Sequence, residues 1–386
     1  MTKRPQVALL IERSNAYARG LLRGIYAYLR DHRPWSIYLA DQGLDDSPPP
    51  NWLKNWRGHG IIARSVTPRI AKAVRAAGVP AIDVSGSRLF PDLPCVETDN
   101  EAVSRLVFDH LAQRGFRHLA FCGEDRFAWS NERRHWFTQF AEQAGCRLEI
   151  YPPPDRRGRK LMSWQQEEKQ LADWIRHLRR PCGMMACNDL RGWRVLEVCR
   201  QIGVRVPDEI AVVGVDNDEL LCNLTEPPLS SVIPDTLRIG YETAQLLDEM
   251  MRGRKAGETL RLIKPVGLVT RHSSDVLAVA DPQVSAALRF IREHGAEGIK
   301  VDDVLAAVQT SRSILDGRFK KAVGRTPHEE ILRIQLQRVK QLLEESDLPL
   351  AAIAARTGFK HAEYLSVAFK REVGTAPGEY RVQCKQ

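Results

Sequence analysis

The spacing of hydrophobic residues follows two different patterns, which divide the chain into two parts. Between residues 6 and 270, short runs of consecutive apolar residues alternate with stretches in which apolar residues recur at helical spacing. Short apolar strands separated by helices are typical of parallel sheets covered on both faces. The apolar runs predict strands at 7–11, 36–40, 60–62, 81–84, 118–122, 148–151, 184–187 and 210–215.

The length of this α/β part bears on its architecture. About 265 residues is long for one doubly wound sheet, so we expect two lobes. A ligand would bind where the carboxyl ends of the strands of the two lobes face each other. Polar residues close several strands on that edge, namely Ser85, Thr98, Asn188 and Asp216.

A helical period begins at about Val284 and continues to the last residues. The polar stretch 271–282 precedes it, and Asp281-Pro282 predicts an N-cap followed by a first-turn proline. The sequence therefore predicts an α/β domain at 1–270, a linker at 271–282 and an all-α domain at 283–386.

The all-α part contains one pattern twice, fifty residues apart. Residues 319–327 read Phe-Lys-Lys-Ala-Val-Gly-Arg-Thr-Pro, and residues 369–377 read Phe-Lys-Arg-Glu-Val-Gly-Thr-Ala-Pro. A solenoid needs at least three copies of its repeat, so two copies favour a pair of DNA-binding units.

Each copy ends a predicted helix-turn-helix. The first pairs a helix at 301–308 with a reading helix at 312–323, and the second pairs 351–357 with 361–373. A long helix at 328–345, with one apolar stripe, joins them. Such a helix would hold the two reading helices one duplex turn apart, about 34 Å, so that both enter successive major grooves.

Charge supports a polyanionic partner for these helices. The net charge is +9, and cations concentrate locally: residues 312–325 contain five cations and one acid, and residues 356–371 contain four and one. One such patch is typical of a solvated helix face, but two patches in register indicate nucleic-acid binding.

The motifs of this region resemble the AraC/XylS-type DNA-binding domain. The resemblance covers about 100 residues and implies base contacts from Arg312, Ser313 and Asp316 in the first reading helix and from Ala362, Glu363 and Ser366 in the second. It implies phosphate contacts from Lys320, Lys321, Lys370 and Arg371. The motifs that carry it are Ser311-Arg312-Ser313-Ile314-Leu315, Arg318-Phe319-Lys320-Lys321, Thr357-Gly358-Phe359, Tyr364-Leu365 and Phe369-Lys370. Gly317 departs from the family, which often has a long polar side chain there.

The α/β part resembles the two-lobed, periplasmic-binding-protein-like sugar sensors of the LacI/ribose-binding-protein family. The resemblance rests on Glu209–Asp218, on Ala186-Cys187-Asn188-Asp189 and on Thr98-Asp99-Asn100. It implies a sugar-binding site, because acid, amide and guanidinium groups pair with hydroxyls and an aromatic ring covers the sugar face. The implied ligand-binding residues are Asn15, Tyr17, Ser85, Thr98, Arg133, Trp164, Asn188 and Asp216.

Alternatives stay open for several of these positions. Arg134 competes with Arg133 for the role of the sugar-clamping arginine. Asn188 and Asp216 are also suited to strand-end capping, and Trp164 and Tyr17 to plain core packing.

A sensor of this type followed by an AraC-type domain resembles the bacterial xylose-operon regulators. The connector 269–279 and the segments 298–302 and 311–313 carry that resemblance. It implies D-xylose or a related pentose as effector, operator DNA and RNA polymerase as partners, a homodimer formed through the sensor, and activation of pentose uptake and catabolism genes.

Several other classes lack their signatures. The sequence contains no Walker loop, no nucleophile elbow and no zincin motif, so we expect no enzyme activity, no cofactor and no metal. No apolar run approaches the ~20 residues of a membrane span, and no signal-peptide core follows the N-terminus, so we expect a cytoplasmic protein without a membrane partner. The eight cysteines form no C-x-x-C pair and are expected to be buried thiols. The rival interpretations are a regulator or repressor that senses another sugar, a sugar-transport protein and a sugar-modifying enzyme.

Overall fold

A computed structural model describes residues 4–40, 49–64, 67–152, 163–257, 259–276, 278–279 and 281–385. The chain folds into two compact units, Met1–Asp275 and Val276–Gln386. The first is α/β and the second is all-α, which confirms the predicted fold class.

The strands of the first unit form two separate sheets. The first has the order β11-β5-β4-β3-β1-β2, and its recorded pairs are parallel. The second has the order β12-β10-β9-β8-β6-β7, and its edge pair β10–β12 is antiparallel. The strands are β1 Gln6–Leu10, β2 Ser36–Leu39, β3 Gly60–Ala63, β4 Ala81–Asp83, β5 Cys95–Thr98, β6 His118–Cys122, β7 Arg147–Ile150, β8 Cys182–Ala186, β9 Ile210–Val215, β10 Ser230–Ile233, β11 Leu260–Ile263 and β12 Gly267–Val269.

Every predicted strand is present, with ends that differ by at most two residues. The sequence pattern missed β5, β10, β11 and β12. These strands are three or four residues long, and β11 and β12 lie at sheet edges with partly exposed side chains, so their apolar signal is weak.

Helices cover both faces of each sheet. In chain order they are α1 Ala16–Asp31, α2 Pro68–Ala76, α3 Asn100–Gln113, α4 Ala128–Gln143, α5 Trp164–His177, α6 Asp189–Gln201, α7 Glu219–Leu224 and α8 Thr236–Met251. The chain passes between the sheets after β5, after β10 and after β11, so each lobe contains segments distant in sequence. Six of the eight cysteines are buried, while Cys146 is half-buried and Cys384 is exposed.

Helix α1 carries cleft residues at its N-terminus and is held tightly against α8. A Cβ atom at Gly24 would lie 2.1 Å from the carbonyl oxygen of Leu237, and one at Gly240 would lie 2.1 Å from that of Leu21. The two backbones can approach this closely only because both positions are glycine.

The second unit contains α9 Pro282–His294, α10 Val301–Val308, α11 Arg312–Val323, α12 Pro327–Glu345, α13 Leu350–Arg356, α14 Ala362–Val373 and α15 Pro377–Lys385. Both predicted helix-turn-helix units are confirmed, as is the cap at Asp281, whose carboxylate accepts from the backbone of Gln283 and Val284. Ser311 occupies the N-cap of α11, but its side chain makes no capping bond.

The connecting helix α12 contributes to two apolar cores. Ile331 packs in the core of the first helix-turn-helix, while Leu336, Val339 and Leu343 pack in that of the second. The predicted apolar stripe is therefore present, and through it α12 packs against both helix-turn-helix motifs.

The predicted linker does not coincide with the division between the units. Residues 271–275 belong to the first unit, and Ser273 and Ser274 are fully buried there. Leu277 and Ala280, also in the predicted linker, lie outside the described residues.

Candidate ligand site and candidate DNA interface

The first unit contains a cleft between its two lobes, at the edge where the strands of both sheets end. It encloses about 780 Å³ of space, part of which is open to solvent. Seven of the eight ligand residues implied by the sequence line it together: Asn15, Tyr17, Ser85, Thr98, Arg133, Asn188 and Asp216.

On the first lobe, four of these side chains are fixed by their own hydrogen bonds. Asn15 caps α1 by accepting from the backbone of Ala18 at 2.8 Å. The hydroxyls of Tyr17 and Thr98 lie 3.0 Å apart, and Ser85 donates to Asp83 at 2.9 Å. Burial raises the pKa of Tyr17 above its ordinary value, so this phenol stays neutral and can donate or accept.

On the second lobe, Asn188 and Asp216 follow β8 and β9. The amide oxygen of Asn188 caps α6 by accepting from the backbone of Arg191 at 2.8 Å, while the residue also lines the cleft. Capping and cleft lining are thus compatible at this position.

Asp216 lies in a strained turn. Its φ is 113°, and the next residue, Asn217, has a φ of 46°. A non-glycine residue rarely adopts positive φ, and such residues concentrate at functional sites. The turn is held because the backbone N–H groups of Asp216 and Asn217 donate to Val232 and Ser231 on β10, each at 3.0 Å.

Arg133 is buried on α4 and reaches across several elements. Its Nε donates to the side-chain oxygen of Asn100 at 2.9 Å, and its Nη1 donates to the carbonyl of Cys187. The guanidinium also lies 5.0 Å from the ring centre of Trp129. Arg134, the alternative arginine, instead pairs with Asp125 at 2.8 Å and is half-buried. Arg133 is the one that lines the cleft.

Trp164 does not line the cleft, which corrects the sequence-based expectation. It begins α5 and packs with Trp193, with ring centres 6.3 Å apart, and the guanidinium of Arg194 lies 4.4 Å from its ring. Trp129 is the tryptophan of the cleft, stacked on Phe127 at 5.0 Å. Within the described residues, its buried indole N–H has no hydrogen-bond partner.

Sequence reasoning missed other cleft residues. They are Arg64, Glu97, Asn100, Trp129, Asp189, Leu190, Asp218 and Leu221, together with Ala16, Val84 and Gly86. A signal was present for some of them. Trp129 precedes Arg133 by four residues, which places both on one face of a helix. Asn100, Asp189 and Asp218 lie within the motifs that carry the family resemblance.

Three carboxyl groups of the cleft are disfavoured as anions. Burial, with nearby Glu132 and Asp83, raises the pKa of Glu97 to about 8. Burial also raises the pKa of Asp189 and Asp216, and the charge of Asp216 adds to the effect on Asp189. Arg133 and Arg64 oppose the shift at Asp216. Near neutral pH, Glu97 can therefore be protonated and donate as well as accept, whereas Asp216, whose pKa is raised only to about 6, remains mainly a charged acceptor.

An ion pair between Arg19 and Asp218 crosses the cleft. Arg19 on α1 lies 3.4 Å from Asp218, which caps α7 on the other lobe. Arg19 is held in place by its donation to the carbonyl of Ser14 at 3.0 Å. This pair links the two lobes at the mouth of the site.

Hydrogen bonds continue from the cleft to the last residues of the first unit. Asp189 accepts from Ser231 on β10, and Asn217 accepts from Arg271 at 2.9 Å. Ser273 donates to the carbonyl of Val212 at 2.6 Å, and Ser274 lies 2.7 Å from the imidazole Nε2 of His110. The strained turn is thus connected to the segment through which the chain leaves the unit.

The second unit presents the cationic residues of both reading helices, α11 and α14, to solvent. Lys320, Lys321, Lys370 and Arg371 are all exposed. Arg371 pairs with the neighbouring Glu372 at 2.9 Å, an exposed pair that a phosphate could replace at low cost.

The residues expected to read bases fall into two groups. Arg312, Ser313 and Glu363 are exposed near the beginnings of the reading helices. Ala362, Asp316 and Ser366 are half-buried, and the Ser366 hydroxyl donates to the Ala362 carbonyl of its own helix at 2.9 Å. Their base contacts stay predictions.

Two features are absent from the residues that the structure describes. None of their helices is both long and apolar enough to span a bilayer. No cluster of three or more metal-ligating side chains occurs among them.

Comparisons with known proteins agree with both units. Residues 6–101 match the XylR N-terminal domain, residues 108–274 match a periplasmic binding protein-like domain, and residues 304–383 match a helix-turn-helix domain. The chain is 32% identical over 388 residues to the xylose operon regulatory protein of Escherichia coli K12, covering 98% of this chain and 97% of that protein.

Two further relatives agree. The xylose operon regulatory protein of Haemophilus influenzae is 32% identical over 387 residues, with 98% of each chain covered. The solved structure of the xylose-binding transcription activator XylR superposes with a TM-score of 0.78 over 98% of both chains, at 32% identity. The chain therefore belongs to the xylose operon regulatory protein family, sugar-responsive transcription regulators that combine a periplasmic-binding-protein-like sensor with an AraC-type helix-turn-helix domain.

Proposed function

We propose that this protein is a D-xylose-responsive activator of genes for pentose uptake and catabolism. The observation that carries the proposal is the cleft in which Asn15, Tyr17, Arg133, Asn188 and Asp216 come together. D-xylose is proposed as the sugar because the relatives are xylose operon regulatory proteins and a xylose-binding transcription activator.

The chemistry of the cleft suits a small polyol. Each sugar hydroxyl both donates and accepts, so it needs partners of both kinds. Arg133 donates, Asp216 accepts, and Asn188, Tyr17 and Thr98 can do either. The Trp129 ring provides an apolar face for the C–H groups of a sugar. Its indole N–H, which has no hydrogen-bond partner among the residues that the structure describes, provides one more donor.

DNA binding is assigned to the two reading helices. Arg312, Ser313, Asp316, Ala362, Glu363 and Ser366 are the proposed base-contacting positions. Lys320, Lys321, Lys370 and Arg371 are the proposed phosphate-contacting positions. Helix α12 has 19 residues, a length of about 28 Å, which suits two reading helices that enter neighbouring turns of one duplex.

Membership of the family supports a proposal for the assembly and setting of the protein. We propose a cytoplasmic homodimer formed through the sensor, acting as a regulator and not as an enzyme, with RNA polymerase as its partner at the promoter. A dimer would carry four reading helices and cover about 40 base pairs.

Coupling between sugar and DNA is assigned to the hydrogen-bond route from Asp216 through Asn217 to Arg271. A sugar that binds Asp216 would bias this turn, and Arg271 would pass the change to the segment 271–275. The sugar can shift DNA affinity only by its differential affinity for two states of the sensor.

The test is calorimetry with a panel of pentoses and hexoses, with and without operator DNA, at protein concentrations above the dimer dissociation constant. We expect D-xylose to bind most tightly and to bind more tightly when operator is present, because linkage is reciprocal. If another sugar binds more tightly than D-xylose, that sugar is the effector. Equal xylose affinities with and without DNA would exclude activation by xylose, and turnover of the sugar would revive the enzyme interpretation.

A further inference from the structure

The large apolar side chains that the second unit exposes are concentrated on the reading helices. Among its described residues they are Ile314 on α11, Tyr364 and Val367 on α14, and Val382 on α15. Their exposed fractions are 48%, 56%, 65% and 57%. Exposed apolar side chains on a DNA-reading surface would be stabilised by contact with an apolar group of the DNA.

The repeat places two of these side chains at the same position of each helix-turn-helix. Ile314 and Tyr364 are fifty residues apart, and each directly precedes a fully buried leucine, Leu315 or Leu365. The buried leucines and the buried Phe319 and Phe369, four residues further on, fix the inward face of each helix. Ile314 and Tyr364, which adjoin the buried leucines, therefore point away from the core in both helix-turn-helix motifs.

On α14 the apolar pair continues into the cationic pair. Tyr364 and Val367 are three residues apart, and Lys370 and Arg371 follow one turn later, so the four share one exposed stripe. An apolar patch bordered by cations fits a polyanion better than it fits the apolar face of another protein. The patch is also far smaller than a stable protein interface requires.

In the major groove of DNA, the 5-methyl group of thymine is the apolar group that a side chain can contact. We propose that Ile314, Tyr364 and Val367 read thymine methyl groups, and that they are specificity-determining residues beside the polar base-contacting positions. This inference rests on DNA binding by α11 and α14, and it names the base that their apolar side chains select.

One difference between the two reading helices bears directly on this role. Gly317 on α11 corresponds to Val367 on α14, and a Cβ atom at Gly317 would meet no heavy atom of the described part of the chain within 4 Å. The first helix thus presents one apolar contact and an open position, while the second presents two contacts. The half-site of α14 should therefore require more thymines than the half-site of α11.

The experiment exchanges single methyl groups on both partners. An operator selected with the wild-type protein is resynthesised with deoxyuridine in place of one thymine at a time, which removes only the methyl group. Binding of the full-length protein is measured by fluorescence anisotropy. Each sensitive thymine should cost the wild type about three- to fivefold in affinity, as expected for one buried methyl.

Val367→Ala should weaken binding to the thymine operator by about three- to tenfold and should abolish the sensitivity to deoxyuridine at one position of the α14 half-site. Val382→Ala, which removes an equally exposed valine from α15, is the matched control and should keep every sensitivity of the wild type. Gly317→Val should create a new sensitive position in the α11 half-site.

The outcomes distinguish a failure of DNA binding by α11 and α14 from a failure of the methyl-reading role. If the wild type selects no operator, DNA binding by these helices is itself wrong. If it selects an operator but Val367→Ala and the wild type lose the same factor at every deoxyuridine, the methyl-reading role is overturned while DNA binding stands. Circular dichroism confirms that the variants are folded.

Discussion

The sensor cleft and the reading helices use charge in opposite ways. In the cleft, Arg133, Glu97 and Asp189 are buried, and Arg133 and Asp189 are tied into hydrogen bonds to protein groups. On α11 and α14, the lysines stand in solvent. A buried group that loses its partner costs more than an exposed one, because no water replaces the bond. Substitutions should therefore act strongly in the cleft and mildly on the reading helices.

The largest effect on stability is expected at Glu97. The folded protein raises the pKa of this carboxyl to about 8 from an ordinary 4.5. The unfolded chain ionises at lower pH, so stability is full below about pH 4.5 and is lost as the pH rises through about 8. Glu97→Gln has no such penalty and should be about 4 kcal/mol more stable than the wild type at pH 8, since each pH unit between the two pKa values corresponds to about 1.4 kcal/mol.

Thermal unfolding of both proteins from pH 5 to pH 9 measures this difference, which should shrink towards pH 5. Glu142→Gln, at an exposed position of α4, is the matched control and should leave the wild-type pH profile in place. An advantage of Glu97→Gln that is the same at every pH would contradict the assignment.

Asp216 should show the largest effect on sugar binding. Asp216→Asn removes a charged acceptor while keeping a residue type that tolerates positive φ. We expect xylose affinity to fall about 10- to 100-fold, the value of a hydrogen bond to a charged group. Calorimetry measures the loss, with Asp173→Asn on the exposed side of α5 as control. Unchanged affinity would remove Asp216 from the site.

A smaller and more general effect is expected on the reading helices. Lys370→Ala should weaken binding to all DNA sequences alike, by about fivefold, and should reduce the slope of log affinity against log salt by about one. Titrations between 50 and 200 mM salt, about the range in which phosphate contacts are most visible, measure the slope. Lys264→Ala, an exposed lysine of the sensor, should leave it unchanged. A change in the preferred sequence would show that Lys370 reads bases.

The smallest effect is expected inside α11. Gly317→Ala fills open space on a regular helix and should stabilise the second unit by about 0.5–1 kcal/mol. The matched variant Gly324→Ala, at the C-cap of α11 where φ is 79°, should destabilise it by a similar amount. Denaturant unfolding measures both, and shifts of the same sign would contradict this account.

Much of the second unit could be predicted from the sequence because the helix-turn-helix pattern occurs in it twice. The limits of α10 and α11 were predicted to the residue, and α14 to within one. Capping chemistry is local, so Asp281-Pro282 could be assigned without tertiary information. In the first unit, strands with continuous apolar runs were equally clear.

The cleft could be predicted only in part, because its members come from many segments. Residues that follow strands, such as Asn188 and Asp216, were found since parallel strands end at one edge. Trp129 and Trp164 both lie on helices, and the sequence alone does not tell which of the two lines the cleft. Glu97 lies inside the short strand β5, which the apolar pattern did not reveal.

The segment His272–Ser274, in which both serines are buried, has a practical consequence for building hybrid regulators. Its serines complete the packing of β9 and β10, so a sensor cut at residue 270 would expose the partners of Ser273 and Ser274. A transplant of this sensor onto another DNA-binding unit should keep the chain through Asp275. The natural place to exchange modules is thus set by where the hydrogen bonds of the sensor end, several residues beyond its last strand.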